Sequence, residues 1–328
     1  MTRTLDVAIE RFPIAGRFTI ARGSRTEAVV VTATLRDGDA VGRGECVPYG
    51  RYGETPEGSA AAIEAMRPAL EAGLSRLDLQ DAMPAGAARN AIDCAFWDLD
   101  AKLTGAPAHV AAGIDRLAPV TTAYTISLGT PEEMAEGVAK ASGRPILKIK
   151  LGGPDGDLGR IAAVRNAAPD STLIADANEG WTADNLRDHL AACADAGFQL
   201  VEQPVKADDD AILDGIDSPV LLCADESLHA RADLPRLKGR YGAINIKLDK
   251  AGGLTESLAL AREAEALGFT IMVGCMLGTS LGMAPAMLVT PRARFVDLDG
   301  PLLLARDREP GLRYEGSLLR PPASSLWG

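Results

Sequence analysis

Histidine is scarce in this chain, with three in 328 residues, and aromatic residues make up only 4%. Chemistry that needs several imidazoles has little to draw on. The five cysteines, Cys46, Cys94, Cys193, Cys223 and Cys275, are odd in number and widely spaced. They contain no Cys-x-x-Cys pair, which argues against a zinc site and for reduced thiols in a cytoplasm. No apolar run reaches the roughly 18 residues of a membrane span. The opening stretch, MTRTLDVAIERFPIAGRF, has no apolar core before a cleavage site, so no signal peptide is expected. Basic residues are outnumbered, 34 against 45 acidic ones, for a net charge of −11. A nucleic-acid surface needs clustered Lys and Arg and is not expected.

What is present is an ordinary globular composition, 47% hydrophobic and 24% charged. The length suggests about two domains. The first part reads as α+β, with strands at Leu5–Ile9, Ala28–Leu35 and Val41–Cys46. Arg36-Asp37-Gly38-Asp39 supplies a turn. A Gly/Pro/Tyr-rich loop covers Val47–Thr55, and helical spacing covers Ser59–Glu71 and Ala87–Leu103.

From about Val120 short apolar strands alternate with Ala-rich amphipathic helices. The predicted strands are Thr121–Ser127, Ile146–Leu151, Thr172–Ala175, Leu200–Glu202, Val220–Ala224, Ala243–Leu248, Thr270–Cys275 and Phe295–Leu298. Eight such units suggest a (β/α)8-type barrel, although a doubly wound open sheet gives the same local pattern. The Pro-rich tail, 301–328, has no such repeat and is expected to pack back on the first domain. The expected division is therefore a capping domain over 1–115, a barrel over 116–300, and that tail.

Barrel enzymes carry their chemistry at the C-terminal ends of strands. Lys148 and Lys150 end the second strand, Asp176 the third, Glu202 the fourth and Asp225 the fifth. Lys247 is near the end of the sixth, and Asp297 and Asp299 end the eighth. From 150 to 176 and from 176 to 202 the step is 26 residues, then 23 to 225 and 22 to 247. Each step is about one βα unit, so these groups converge on one rim. A single acid after a strand is usually a helix cap or a loop charge. Three acids on three consecutive strands, flanked by lysines, are hard to obtain from capping.

Asp176, Glu202 and Asp225 suit Mg²⁺, a hard ion that takes oxygen ligands and keeps positions open for substrate. Strands two and six of an eight-stranded ring face each other. Lys150 and Lys247 would then approach one carbon from opposite sides, removing a proton from one face and returning it to the other. A lysine base must be neutral, yet its ordinary pKa is about 10.4. Lys148 beside Lys150, together with Mg²⁺, would lower it.

The segments Leu147-Lys148-Ile149-Lys150, Ala175-Asp176-Ala177-Asn178, Val201-Glu202-Gln203-Pro204, Cys223-Ala224-Asp225-Glu226-Ser227 and Ile244–Lys250 resemble the enolase superfamily. More narrowly they resemble its muconate-lactonising subgroup, and within it the L-Ala-D/L-Glu dipeptide epimerases. The likeness extends to Ile20–Arg25, Gly44–Tyr49, Pro84–Leu99 and Phe295–Pro301. It implies an α+β cap over a (β/α)7β barrel, with Mg²⁺ on the three acids. It also implies a two-lysine 1,1-proton transfer through an ene-diolate stabilised with Lys148, in peptidoglycan peptide metabolism. Asp297 and Asp299 match an Asp-x-Asp that meets the α-ammonium of a dipeptide. Arg25, with Arg22 as competitor, matches the position that meets the substrate's side-chain carboxylate. Thr125 matches a substrate-contacting threonine, and Arg51 and Tyr52 would close the cavity.

The resemblance leaves N-acyl-amino-acid racemase, o-succinylbenzoate synthase and muconate-type cycloisomerase as alternatives. A non-catalytic metal-dependent binding protein is a remote one. His109, His189 and His229 all miss the ends of strands six and seven, which disfavours the branch that uses a His–Asp base. Cys275, at the end of strand seven, reads as a small buried hydrophobe. The loop Gly152–Gly156 lacks a phosphate-binding pattern and reads as a connection. The expected partner is a small dipeptide, with no nucleic acid, no membrane and a possible homo-oligomer.

Overall fold

A computed structural model describes residues 3–154 and 156–328. Met1 and Thr2 of the opening stretch and Asp155 of the Gly152–Gly156 loop lie outside the described residues. Among the described residues no helix is long and apolar enough to cross a membrane.

The chain begins with a long antiparallel hairpin, β1 (Thr4–Ile20) and β2 (Gly23–Asp37), joined by β3 (Ala40–Cys46). Both hairpin strands run well beyond the apolar cores that mark them in the sequence. Backbone pairing continues past a register shift at Pro13–Phe18 to Ile20 opposite Gly23. The hairpin tip thereby reaches over the second domain. Helix Ala87–Thr104 packs flat on β3. Gly42 and Gly44 allow that approach, since a Cβ on either would stand 2.2 or 2.1 Å from a helix carbonyl oxygen. The helix expected over Ser59–Glu71 is instead two, Pro56–Ala65 and Arg67–Glu71. Pro68 cannot donate the hydrogen bond that continuity requires.

The second domain is one curled sheet of eight parallel strands. They are β4 (Tyr124–Ile126), β5 (Ile146–Lys150), β6 (Thr172–Asp176), β7 (Phe198–Glu202), β8 (Leu221–Ala224), β9 (Ala243–Ile246), β10 (Thr270–Val273) and β11 (Phe295–Val296). Each pairs with its sequence neighbour. The ends of the sheet meet where Ala123 N–H donates to the Val296 carbonyl at 2.8 Å. Leu298 N–H donates to Thr122 Oγ1, also at 2.8 Å. The fold is the expected barrel with its α+β cap. The outer layer is less regular than expected. The connection after β7 carries a 3₁₀ helix, Ala207–Leu213, where an α-helix would stand.

Side chains alternate along a strand, so interior positions recur every second residue. Ala123, Ile174, Leu200, Cys223, Ala243, Met272 and Phe295 form a separate apolar cluster inside the ring, joined by Ile146. That cluster is the barrel's floor.

The tail turns back on the cap. Trp327 Nε1 donates to the Cys94 carbonyl at 3.0 Å, and Arg43 Nη2 to the Leu326 carbonyl at 2.8 Å. Its strand Leu318–Leu319 pairs with Val120–Thr121 at the barrel entrance.

Candidate active site

Two residues beyond each floor position, the interior changes character. Counting on from the floor gives Thr125, Lys148, Asp176, Glu202, Asp225, Asn245, Gly274 and Asp297. Seven of the eight are polar, and all seven are buried. Burying so many charges is tolerable only if they pair. Lys148 Nζ lies 2.7 Å from Glu202 Oε2, 2.7 Å from Asp297 Oδ2 and 3.2 Å from Asp176 Oδ2. Higher up, Lys150 Nζ donates to Asp176 Oδ2 at 2.6 Å, and Lys247 Nζ to Asp225 Oδ2 at 2.7 Å. Lys250 reaches Asp225 Oδ1 at 2.5 Å.

A cavity of about 230 Å³ sits above this layer, between barrel and cap. Lys150, Lys247 and Asp225 form its base, and Phe18, Arg25 and Tyr52 of the cap are among its roof residues. Lys148, Asp176, Glu202, Asp297, Asp299 and Thr125 are buried and are not among its lining residues.

Asp297 and Asp299 were expected on the last strand, but β11 stops at Val296. Asp299 instead opens the short helix Gly300–Leu303. Both carboxyls stay buried, and Asp299 Oδ2 accepts the Thr125 N–H at 2.6 Å. Burial, then the Asp297 charge, pushes the Asp299 carboxyl up to about 7.

Two of the lysine ammonium groups are held charged by their carboxylate neighbours. Burial alone would lower the Lys148 ammonium, but Asp297, Glu202 and Asp176 outweigh it and hold it well above its usual value. Lys247 is held up in the same way by Asp225 and Glu202. Burial and the Asp176 charge push Glu202 up to about 7.

Among the described residues no three acids, histidines or cysteines converge as a ready ligand set. Ammonium groups bridge the carboxylates instead. The donors still fit a hard divalent cation. They are carboxylates at the ends of three successive strands, and Glu202 Oε2 is met only by the Lys148 ammonium, at 2.7 Å. A cation there would relieve the crowding that raises Glu202.

Arg22 and Arg25, both at the hairpin tip, part company. Arg22 Nη2 donates to Glu226 Oε1 at 2.6 Å, and Nη1 to Glu179 Oε2 at 3.1 Å. Its charge is thus matched by the barrel rim. The guanidinium of Arg25 lies over the Tyr49 ring at 5.5 Å and lines the cavity. Arg51 makes a two-pronged contact with Glu179, at 2.8 and 2.9 Å. Tyr52 packs edge-on against His229.

Several site residues escaped the sequence reading. Gln203 accepts the Asp225 and Ser227 N–H groups at 2.9 and 3.1 Å and so holds the loop after β8. Asn178, Glu179 and Gln203 are the non-glycine residues with positive φ among those described. All three follow the ends of β6 and β7, where left-handed backbone marks a constrained site. Glu226 lies within the segment Cys223–Ser227 and Glu179 just after Ala175–Asn178, but no strand-to-strand spacing singles either out.

Two family matches cover most of the chain. Residues 2–111 match the mandelate racemase/muconate lactonizing enzyme N-terminal domain, and residues 131–323 match the enolase C-terminal domain-like family. The chain belongs to the enolase superfamily. Among relatives in this superfamily, an L-Ala-D/L-Glu epimerase of Escherichia coli K12 is 48% identical, covering 95% of this chain and 98% of its own. An N-acetyl-D-glutamate racemase of a Pseudoalteromonas species is 42% identical over 91% and 95%. An enolase-family crystal structure from Agrobacterium tumefaciens, with bound sodium and L-Ala-L-Glu, is 58% identical with a TM-score of 0.98 over 99% and 100%. A dipeptide epimerase of Enterococcus faecalis complexed with Mg and L-Leu-L-Tyr is 31% identical with a TM-score of 0.92 over 100% and 99%.

Proposed function

We propose that this protein is a Mg²⁺-dependent epimerase of dipeptides of the L-Ala-D/L-Glu type. One observation carries the reading. Lys150 and Lys247 line one cavity, each anchored to a different carboxylate of the proposed metal set. Such a pair can take a proton from one face of a carbon and return one to the other.

Asp176, Glu202 and Asp225 would hold the metal. When bound, it supplies positive charge against the charge that develops on the substrate carboxylate as the α-proton leaves. Lys148 holds a further positive charge at the same place. Asp297 lies in the buried layer and Asp299 is buried just beyond it, and both offer negative charge to a substrate ammonium. Arg25 is the cavity arginine that no carboxylate claims in the contacts above, so we assign it the acidic side chain of the substrate. Thr125 fixes Asp299 through its backbone. The similarity to relatives that handle L-Ala-Glu supports the same choice. The unpaired thiols are consistent with the cytoplasm as its compartment and with peptidoglycan-derived peptides as its source of substrate.

N-acyl-amino-acid racemisation is the second reading. A carboxyl raised to about 7 is partly protonated at neutral pH and can donate to an acyl carbonyl. The experiment is incubation of L-Ala-L-Glu with enzyme and Mg²⁺ in D₂O, followed by NMR. Loss of the glutamyl α-proton signal together with formation of L-Ala-D-Glu is expected. Neither exchange nor epimer overturns the proposal.

A further inference from the structure

Glu202 has two carboxylate oxygens with different partners: a buried side-chain amide holds one, and a lysine ammonium faces the other. Asn245, fully buried two strands away, donates from Nδ2 to Glu202 Oε1 at 2.7 Å. Glu202 Oε2 is held by no side-chain amide and faces only the Lys148 ammonium, whose Nζ lies at 2.7 Å.

The carboxamide of Asn245 can lie where it does because of Gly274. Gly274 is the one member of its interior layer without a side chain. A Cβ there would meet Asn245 Oδ1 at 2.6 Å, Nδ2 at 2.7 Å and Cγ at 3.0 Å. All three atoms belong to a buried amide with no slack to retreat. Its φ is not in the left-handed region, so conformation does not demand glycine.

We infer that Asn245 is a positioning residue that fixes which oxygen of Glu202 is presented to the cation, with Gly274 providing its room. The donor holds Oε1 and sets the carboxylate plane, which leaves Oε2 facing Lys148 Nζ, an ammonium that also lies 3.2 Å from Asp176 Oδ2. Partners of this kind, one step behind the ligands, typically change metal affinity by about 10–100-fold. The inference rests on Glu202 being a metal ligand, as proposed above.

The test is calorimetric titration of the full-length chain with Mg²⁺, with no substrate present. Asn245→Leu removes the donor at nearly constant volume, and Gly274→Ala crowds the amide. Both are expected to weaken Mg²⁺ binding by about 10–100-fold, with wild-type circular dichroism. If the leucine variant does not fold, Asn245→Ser is measured in its place. Wild-type affinity in a folded Asn245 variant overturns the inference. If the wild-type protein itself binds no Mg²⁺, the proposed function falls first. Wild-type binding with unchanged variants overturns this inference alone.

Discussion

Lys150 ends the second strand of one curled sheet, Lys247 directly follows the sixth, and the two meet at the same cavity with three strands between them. Each ammonium is anchored to its own carboxylate, Asp176 at 2.6 Å and Asp225 at 2.7 Å. Two acid–base groups so separated act on opposite faces of what lies between them. Lys150→Ala and Lys247→Ala should each lower epimerisation by about 10²–10⁴-fold. Each variant should still exchange the α-proton of one stereoisomer with D₂O, the D-configured centre surviving with Lys150 and the L-configured one with Lys247. NMR of matched L,L and L,D dipeptides reads this directly. Loss of exchange from both stereoisomers in both variants would sink the two-base assignment.

Carboxylates this crowded and buried gain from a cation. Mg²⁺ should raise the melting temperature, and exhaustive chelation should abolish turnover reversibly. Asp176→Asn should lose the Mg²⁺-dependent rise while keeping the circular dichroism of the fold. Full turnover after chelator dialysis defeats the metal assignment.

The ammonium site has a pH signature. Asp299 sits at about 7, raised by burial and by Asp297. Below that value it is protonated and attracts a cation less. For the free dipeptide kcat/KM should therefore rise with pH through about 7, and Asp299→Asn should flatten this limb. N-acetyl-L-Ala-L-Glu should be much the poorer substrate. Equal or faster reaction of the acetylated compound moves the racemase reading ahead.

Arg25 and Arg22 should separate in kinetics. A hydrogen bond to a charged group contributes about 1.5–3 kcal/mol. Arg25→Ala should then cost L-Ala-L-Glu about 10–100-fold in kcat/KM but leave an L-Ala-L-Leu-type substrate little changed. Arg22→Ala should cost both alike, because its guanidinium joins the cap to Glu179 and Glu226. The reverse pattern would reassign the two.

Asp249 gives a stability test away from the proposed ligands. Its Oδ1 accepts the Val47 N–H and the Asn90 amide, both at 2.9 Å, and burial pushes the carboxyl up to about 7. The folded state therefore holds this proton more tightly than the unfolded chain, whose value is 3.8. The contribution is largest below pH 3.8, shrinks as pH rises to about 7 and is level above. Asp249→Asn never ionises, so its melting temperature should gain on wild type across that window. A difference that stays constant from pH 4.5 to 8 would refute the assignment.

Much of the barrel was readable because its strands are short apolar runs, each followed by one polar group. Lys148, Asp176, Glu202 and Asp225 could be placed by counting one βα unit at a time. The hairpin ends were not readable, because Arg17–Thr26 mixes apolar and polar residues without a strand's alternation and is at most half-buried, and its pairing depends on backbone geometry. Asn245 and Gly274 carry no motif of their own. Their importance lies in a contact between neighbouring strands that spacing along one strand cannot show. The pairing of Lys148 was not readable either, since the three carboxylates that surround it come from the ends of three other strands.

The apolar floor beneath the lysines has a consequence for isotopes. Ala123, Ile174, Leu200, Cys223 and their neighbours offer no acceptor along which a proton could leave downward. The two ammonium groups must therefore trade hydrogens with bulk water through the cap side alone. The Arg22 and Arg51 contacts tie the cap to the barrel rim, so they narrow the route by which a deuteron lifted from the substrate is lost. Internal return of label should consequently increase whenever the lid stays closed longer, and fall when those two arginines are removed.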